Sequence, residues 1–226
     1  MKKYLGAITA LVIFSIPSLS AAETSRPGPY VSAFIGASML NDTTVTNYDY
    51  LNGNAFRENV EFDTGVYTGF TGGYDFGFVR LEGELSYRYN EIDTVTDVSS
   101  GSRFHLPDSD IGAFATMFNV FFDLHNSTPV TPYLGGGIGF AVLQLSNNYW
   151  GGGPYYYSSN DYSDDTVFAY QFGAGVDIAL NRNMSLDVGY RYFKTDDAQI
   201  DSDFFPVTSN FEYESHNVMV GFKYKF

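Results

Sequence analysis

The side chains that could carry out chemistry are few and widely spaced along the chain. The histidines are His105, His125 and His216, and their spacing predicts no metal cluster. Ser215 precedes His216, but adjacent residues of a strand point to opposite faces, which disfavours their pairing as nucleophile and base. Ser215 or Ser209 with His216 leaves a lipid-modifying enzyme as a minor alternative. We expect no enzyme and no catalytic residue.

Glycine-rich and acidic stretches complete the candidates for ligand binding. Neither 135–139 nor 151–153 has the spacing of a dinucleotide or phosphate loop. The carboxylates of 161–165 or 201–203 could offer oxygen ligands to calcium, but neither stretch matches a known loop motif, so we favour solvated surface charge. We therefore expect no metal site and no cofactor.

The segment 147–157 has a different composition, rich in Tyr, Trp, Gly and Asn. Rigid aromatic side chains with small polar neighbours are typical of binding surfaces. The same rings could instead lie among lipid headgroups at a membrane surface. The candidates for loop binding are Tyr149, Trp150, Tyr155, Tyr156 and Tyr157.

The composition indicates an all-β chain. Its 226 residues include 21 Phe, 19 Tyr, 23 Gly and no Cys, and 26 acidic against 12 basic residues give a formal charge of -14. Such a chain is neither a basic nucleic-acid binder nor a disordered polymer, and no apolar run is long enough for a membrane-spanning helix. Aromatic residues suit a pleated surface, and the length suits one domain.

The first 22 residues have the features of an export signal. Lys2 and Lys3 precede an apolar stretch from Leu5 to Ile16, which is too short to span a bilayer, and small residues end at Ala22. We predict a signal peptide over 1–22, cleaved after Ala22, and a mature domain over 23–226. An exported chain without cysteine has no disulfide framework, so the sheet itself must hold the fold together.

Four segments alternate between an apolar and an ionic face with period two. They are 79–89, 168–178, 185–192 and 217–226, and the residues predicted to face inward include Arg80, Glu82, Glu84, Ser86, Arg88, Gln171, Asp177, Asp187, Arg191 and Lys223. Four further strands are predicted within 30–38, 66–76, 111–124 and 131–143. In the last two we place Asn119, Asp123 and the glycines 135, 137 and 139 inward.

The connections between these eight strands alternate in length. Three connections are short turns, at 75–77, 125–130 and 181–183. Four are long segments, at 41–64, 90–110, 146–165 and 194–214. This alternation predicts an antiparallel up-and-down barrel with the long loops outside the cell. A soluble barrel would have to bury every ionic face, so we favour a transmembrane β-barrel with aromatic girdles.

These features resemble the small outer-membrane β-barrels of the OmpA-like and opacity-protein surface-antigen type, within the porin family. The resemblance rests on the export signal, 133–139, 171–177, 186–192 and the last segment, 220–226. It implies the outer membrane of a Gram-negative bacterium, reached through the periplasm. It also implies that Gly221, Phe222, Tyr224 and Phe226 form a signal for the barrel-assembly machinery.

We expect a closed interior and a role for the surface. An eight-stranded barrel is narrow enough to be filled by side chains, so ion pairs are predicted among Arg80, Glu82, Glu84, Arg88, Asp177, Asp187, Arg191 and Lys223. The favoured function is a structural or adhesive surface protein that contacts outer-membrane lipid, lipopolysaccharide and an unknown extracellular partner, but no nucleic acid. The main alternative is a narrow channel for small or apolar solutes.

Overall fold

The computed structural model describes residues 27–49, 53–105, 109–148, 160–201 and 207–226. Thirteen strands account for most of them: β1 (Gly28–Leu40), β2 (Thr43–Asp49), β3 (Asn54–Phe62), β4 (Gly65–Asp75), β5 (Val79–Asp97), β6 (Arg103–His105), β7 (Asp110–Asp123), β8 (Val130–Asn148), β9 (Asn160–Ala179), β10 (Met184–Thr195), β11 (Ala198–Asp201), β12 (Val207–Phe211) and β13 (Glu214–Lys225). Within these ranges, no helix has the length and hydropathy needed to cross a membrane.

Eight of the strands form a closed ring. Antiparallel pairs run in the order β5-β4-β1-β13-β10-β9-β8-β7, and the pairing of β5 with β7 completes the circle. The predicted eight-stranded antiparallel barrel is confirmed. Closure leaves no unpaired strand edge in the ring. A sheet in apolar surroundings needs this, because such surroundings offer no hydrogen bonds to free backbone groups.

The two faces of the ring have opposite chemistry. The side chains that point outward are apolar and exposed, for example Ile35 at 65%, Phe70 at 69% and Phe140 at 62%, whereas Arg88 is fully buried inside. The predicted inward and outward residues of β7 and β8 also alternate as expected. A water-soluble core would show the reverse arrangement, so this wall is built for an apolar surrounding.

The turns at one end of the ring are short, as predicted. In the first, Gly77 has a φ of 98°, which lies in the left-handed region that only glycine adopts without strain. Its backbone N–H donates to Asp75 Oδ1 at 2.6 Å. The start of β1 at Gly28 and Phe226 lie at the same end, where the Phe226 N–H donates to the Pro29 carbonyl at 3.1 Å. We call this the turn end.

The four long segments are not irregular loops in the part of the chain that the structure describes. We call their described residues, within 41–64, 90–110, 146–165 and 194–214, the cap. Their strands pair in the order β11-β12-β2-β3-β5. This order corresponds, strand for strand, to the order β10-β13-β1-β4-β5 in the ring. The barrel wall therefore continues beyond the ring after short bends, such as Asn41-Asp42 and Asp63-Thr64.

The bends are held by backbone hydrogen bonds between neighbouring strands. Asn41 N donates to the Glu214 carbonyl at 2.9 Å, and Asp63 N donates to the Glu91 carbonyl at 3.0 Å. At a third bend, Thr195 N donates to the Tyr213 carbonyl at 3.0 Å. The backbone N–H and C=O groups at the bends thus keep hydrogen-bond partners. The strands change direction without breaking the hydrogen bonds that join them to their neighbours.

Candidate functional site

Opposite charges meet inside the barrel near the turn end. Arg80 Nε lies 2.9 Å from Asp123 Oδ2, with both side chains almost completely buried. Lys223 pairs directly with Asp177 and lies 4.0 Å from Asp187 Oδ2. These side chains come from five different strands, so the closed ring is what brings them together. Each buried charge thereby has a partner, which is the condition for keeping it inside a protein.

Glu84 lies at the centre of the next layer, about halfway along the lumen. Its carboxylate accepts hydrogen bonds from Tyr67 Oη at 3.0 Å, Asn119 Nδ2 at 3.0 Å and Gln171 Nε2 at 2.8 Å. The donors come from β4, β7 and β9, on different sides of the ring. Glu84 therefore ties the walls together across the lumen through charge-assisted hydrogen bonds.

Glu82 and Asp187 extend this network towards the turn end. Tyr30 Oη donates to Glu82 Oε2 at 2.8 Å, and Asn119 also donates to Glu82 at 3.3 Å. Tyr133 Oη donates to Asp187 Oδ1 at 2.6 Å. Buried tyrosines thus supply many of the donors that the carboxylates need.

Arginine side chains stack on aromatic rings within the same layers. The Arg88 guanidinium carbon lies 3.8 Å from the centre of the Phe193 ring and 4.4 Å from that of Tyr67. Arg191 lies 4.5 Å from the centre of the Phe121 ring. Stacking of this kind stabilises a desolvated cation, because the face of an aromatic ring carries negative charge density.

Glycines make room for these bulky groups. A Cβ atom at Gly173 would lie 2.7 Å from Arg191 Cδ, and one at Gly175 would lie 2.5 Å from Tyr133 Oη. Real Cβ atoms do not approach other atoms so closely. The glycines of β9 are therefore explained by packing of the lumen.

The cap end of the lumen contains a large apolar cluster beside buried, uncharged polar side chains such as Asn90 and Ser215. Ile111, Leu143, Phe193, Phe211 and Tyr213 belong to one buried cluster of that region. The inward residues of β7 change from polar Asn119 to Met117, Ala115, Ala113 and Ile111 towards the cap. The charged side chains thus lie towards the turn end and the middle of the lumen, and a layer rich in apolar side chains covers them on the cap side.

A second apolar cluster supports the cap itself. Val60, Ile92 and Val95 are buried together. Val45, Phe62 and Leu145 pack against this cluster and against the apolar layer of the lumen. Continuous packing makes the cap a folded extension of the barrel rather than a set of independent loops.

The structure also shows interior residues that the sequence candidates omitted. Lys225 Nζ lies 2.5 Å from Asp75 Oδ2 at the turn end. Tyr30, Tyr67 and Tyr133 are buried hydrogen-bond donors. Period two could have placed them inward, since Tyr30 and Tyr67 lie in phase with the other inward residues of their strands.

Ser215 and His216 do not pair in the structure, in line with the opposite faces expected for adjacent residues of a strand. The Ser215 side chain is fully buried in the barrel and its Oγ accepts a hydrogen bond from Asn217 Nδ2 at 3.1 Å. His216 points outward, and its Nδ1 lies 2.6 Å from Tyr190 Oη. The Ser209 side chain lies outside the described part. Among the described residues, no group of three or more His, Cys, Asp or Glu could hold a metal ion.

The remaining candidates divide between the last strand and the third long segment. Phe222, Tyr224 and Phe226 point outward, and Gly221 faces inward, where a Cβ would lie 3.2 Å from Phe34 Cβ. Their use as an assembly signal stays a prediction. The loop candidates, all within 149–157, lie outside the described residues, as do the carboxylates of 161 and 201–203 as side chains.

The combination of an apolar outer wall with a charged lumen agrees with the comparison to known families. The family model of the outer membrane protein beta-barrel domain matches residues 7–226. The chain belongs to this family. It is accordingly a protein of the Gram-negative outer membrane, and the exposed apolar band of the ring faces lipid.

Individual relatives agree with this assignment. The chain is 27% identical to the outer membrane protein PagN of Salmonella typhimurium, with 95% of this chain and 97% of PagN covered. The fold is similar to that of OprG from Pseudomonas aeruginosa, with a TM-score of 0.62 and 16% identity over 91% of this chain and 99% of OprG. It is also similar to AlkL, with a TM-score of 0.54 and 18% identity over 93% and 94% of the two chains.

Proposed function

We propose that the barrel anchors this protein in the outer membrane and that the cap, on the extracellular side, binds partners at the cell surface. One contrast carries the proposal. Buried side chains fill successive layers of the lumen, whereas the wall continues beyond the ring as a folded cap with its own apolar core. The polar surface outside the lumen is therefore the part of the molecule available for recognition.

The packing of the cap supports a recognition role. A surface held by strands and an apolar core loses little conformational entropy on binding, which favours affinity. The long segments also carry most of the acidic residues behind the formal charge of -14. Such a surface favours neutral or basic partners and repels anions. Within the membrane, the partners are lipid and lipopolysaccharide around the apolar band, and insertion uses the barrel-assembly machinery.

The filled lumen argues against the alternative of a narrow channel. A solute would have to displace Glu84 and its hydrogen-bonded partners and then pass the apolar layer around Phe193. Planar bilayers containing the refolded chain test this point. We expect no steady single-channel openings. Ion-selective openings that change in the Glu84→Gln variant would support the channel and contradict a purely recognition role.

Attachment assays test the proposed function directly. A variant in which a Gly-Ser turn replaces residues 42–63 removes the β2–β3 hairpin but keeps the ring pairs of β1 with β4. His125→Ala, at the turn end, is the control. Non-adherent Gram-negative cells displaying the wild-type protein should bind to host-cell monolayers or to one another, and the hairpin variant should lose this binding.

Folding of each protein is checked by the heat-dependent gel shift of outer-membrane barrels. The His125→Ala control should fold and attach like wild type, because the turn end faces the periplasm in the proposed orientation. Equal attachment by cells with wild-type protein, hairpin variant and no barrel would contradict the proposal. We also expect no enzyme activity: an unchanged lipid profile on expression of the protein agrees with this, and a modified lipid would contradict it.

A further inference from the structure

The outer face of the cap carries an ordered set of polar side chains. Asn210 of β12 is directly opposite Gln199 of β11 on one side and Thr46 of β2 on the other. Thr208 is opposite Tyr48 in the neighbouring row. Side chains two residues apart on a strand share a face. The row Gln199–Asn210–Thr46 and the row Thr208–Tyr48 therefore lie side by side on one surface. We call the residues Thr44, Thr46, Tyr48, Gln199, Thr208 and Asn210 the polar face.

The polar face borders a wide, open depression of about 750 Å³, to which Thr43, Asp197, Phe211 and Glu212 also contribute. This volume lies within the range of small-molecule sites, about 300 to 1,000 Å³. The opposite side of the same strands contributes Phe211 and Ala198 to the apolar cluster, so the floor of the cavity is fixed by packing.

The chemistry of the polar face suits a ligand with many hydroxyl groups. The Thr46 hydroxyl and the Gln199 side-chain amide offer donors and acceptors at this surface, as sugar hydroxyls do. Thr208 is buried, and the Thr44 hydroxyl already donates to Asn59 Oδ1 at 2.8 Å. The Tyr48 ring is 45% exposed beside them and can pack against the apolar face of a sugar ring. Rows of paired donors and acceptors next to an aromatic ring therefore match a saccharide better than an apolar or peptide ligand.

The charges around the cavity select among saccharides. Asp197 and Glu212 are exposed at its rim. The nearby Lys194 is held by Glu212 Oε2 at 2.7 Å and by Glu214 Oε2 at 3.5 Å. A cation already paired with two carboxylates offers little attraction to a sulfate group. Electrostatics thus favours neutral over sulfated sugars.

One polar atom of the cavity has no partner within the described chain. Asn210 Oδ1 is buried and accepts no hydrogen bond there. The protein itself encloses this atom, so a ligand would contact Asn210 through the exposed part of its side chain. Asn210 is the middle residue of its row, so a ligand seated on the polar face would meet it together with Gln199 and Thr46.

We infer that the polar face binds a neutral oligosaccharide. The inference rests on the proposed recognition function and specifies its ligand class. The same chemistry occurs in glycans of animal cell surfaces and in the core sugars of lipopolysaccharide on neighbouring bacteria. The experiment therefore offers both kinds, together with sulfated heparin oligosaccharides, to the refolded full-length barrel in nanodiscs.

Two conservative substitutions and two matched controls make the test specific. Thr46→Val removes one hydroxyl, and Gln199→Ala removes one amide, both from the polar face. Thr166→Val and Gln144→Ala make the same chemical changes at exposed positions of β9 and β8 that do not line the cavity. We expect each cavity variant to weaken binding of a neutral oligosaccharide by about three- to tenfold, as for the loss of one hydrogen bond. The controls should bind like wild type.

The outcomes separate this inference from the function on which it rests. Preference for host glycans or for lipopolysaccharide core sugars identifies the source of the ligand, and either supports the inference when only the cavity variants bind weakly. Binding of sulfated sugars alone, or equal weakening by the controls, overturns it. Loss of attachment by the hairpin variant without any saccharide binding overturns the inference but leaves the recognition function. Failure of both assays overturns both.

Discussion

Replacing Glu84 by alanine should destabilise the barrel strongly. The carboxylate accepts three hydrogen bonds, from Tyr67, Asn119 and Gln171, and its side chain is 2% exposed. Arg88 and Arg191 interact with it electrostatically, so its removal leaves buried positive charge uncompensated. Breaking a buried ionic network by removing one member costs about 3 to 5 kcal/mol. Three lost hydrogen bonds of about 1 kcal/mol each give a similar value.

The assay is urea unfolding in phospholipid vesicles, with the folded fraction read from the heat-dependent gel shift. Glu61→Ala is the matched control, because Glu61 pairs with Arg103 at 2.9 Å while both side chains remain largely exposed. An exposed pair contributes about 0 to 1 kcal/mol, so this variant should unfold close to wild type. Glu84→Gln keeps the shape without the charge and should fall between wild type and Glu84→Ala.

A small effect at Glu84 would refute this reasoning. If Glu84→Ala lowers the free energy of unfolding no more than Glu61→Ala does, then water or rearranged side chains satisfy the lumen as well as the carboxylate does. The hydrogen-bonded layer would then be loosely packed, and the argument that the lumen is filled would lose its energetic basis.

Further predictions concern packing, pH and assembly. Gly139→Val should prevent refolding, because a Cβ would lie 2.0 Å from the Thr116 carbonyl, whereas Gly72→Ala, with its nearest atom 4.0 Å away, should refold normally; the gel shift measures both, and equal yields would contradict the prediction. Burial raises the pKa of the Glu58 carboxyl in the cap, so ionisation costs stability as pH rises through that pKa. Glu58→Gln should therefore slow hydrogen exchange of the cap at pH 7 and lose this advantage in acid; equal rates at pH 7 would argue against it. Phe226→Ala should lower the amount of protein in isolated outer membranes while Phe226→Tyr preserves it, and unchanged amounts of Phe226→Ala would show that the terminal aromatic is not an assembly signal.

Alternation along single strands allowed most of the fold to be predicted. In 79–89 every second residue is ionic or polar, and the ring places that face inside. A strand exposes its two faces to different surroundings, so its sequence records both. The short turns were equally local, since the Asp75-Phe76-Gly77 turn uses a side-chain hydrogen bond and one left-handed glycine.

The cap was harder to predict because its strands are short and interrupted. β11 has only four residues and β12 five, too few to show a period. Bends such as Asn41-Asp42 look like the start of a loop, although the same strand direction resumes at Thr43. Pairing with a neighbour distant in sequence, such as Thr46 with Asn210, makes these segments strands.

Residues close together in the chain were enough to predict the export signal, the strand periodicity, the inward charges and the family resemblance. The other features came from contacts between distant parts of the chain. The tertiary structure chose Asp123 as the partner of Arg80, placed three donors around Glu84, covered the ionic layers with an apolar one and set Gln199, Asn210 and Thr46 in one row. Each of these joins separate strands, and only closure and register of the ring bring such side chains within a few ångströms of one another.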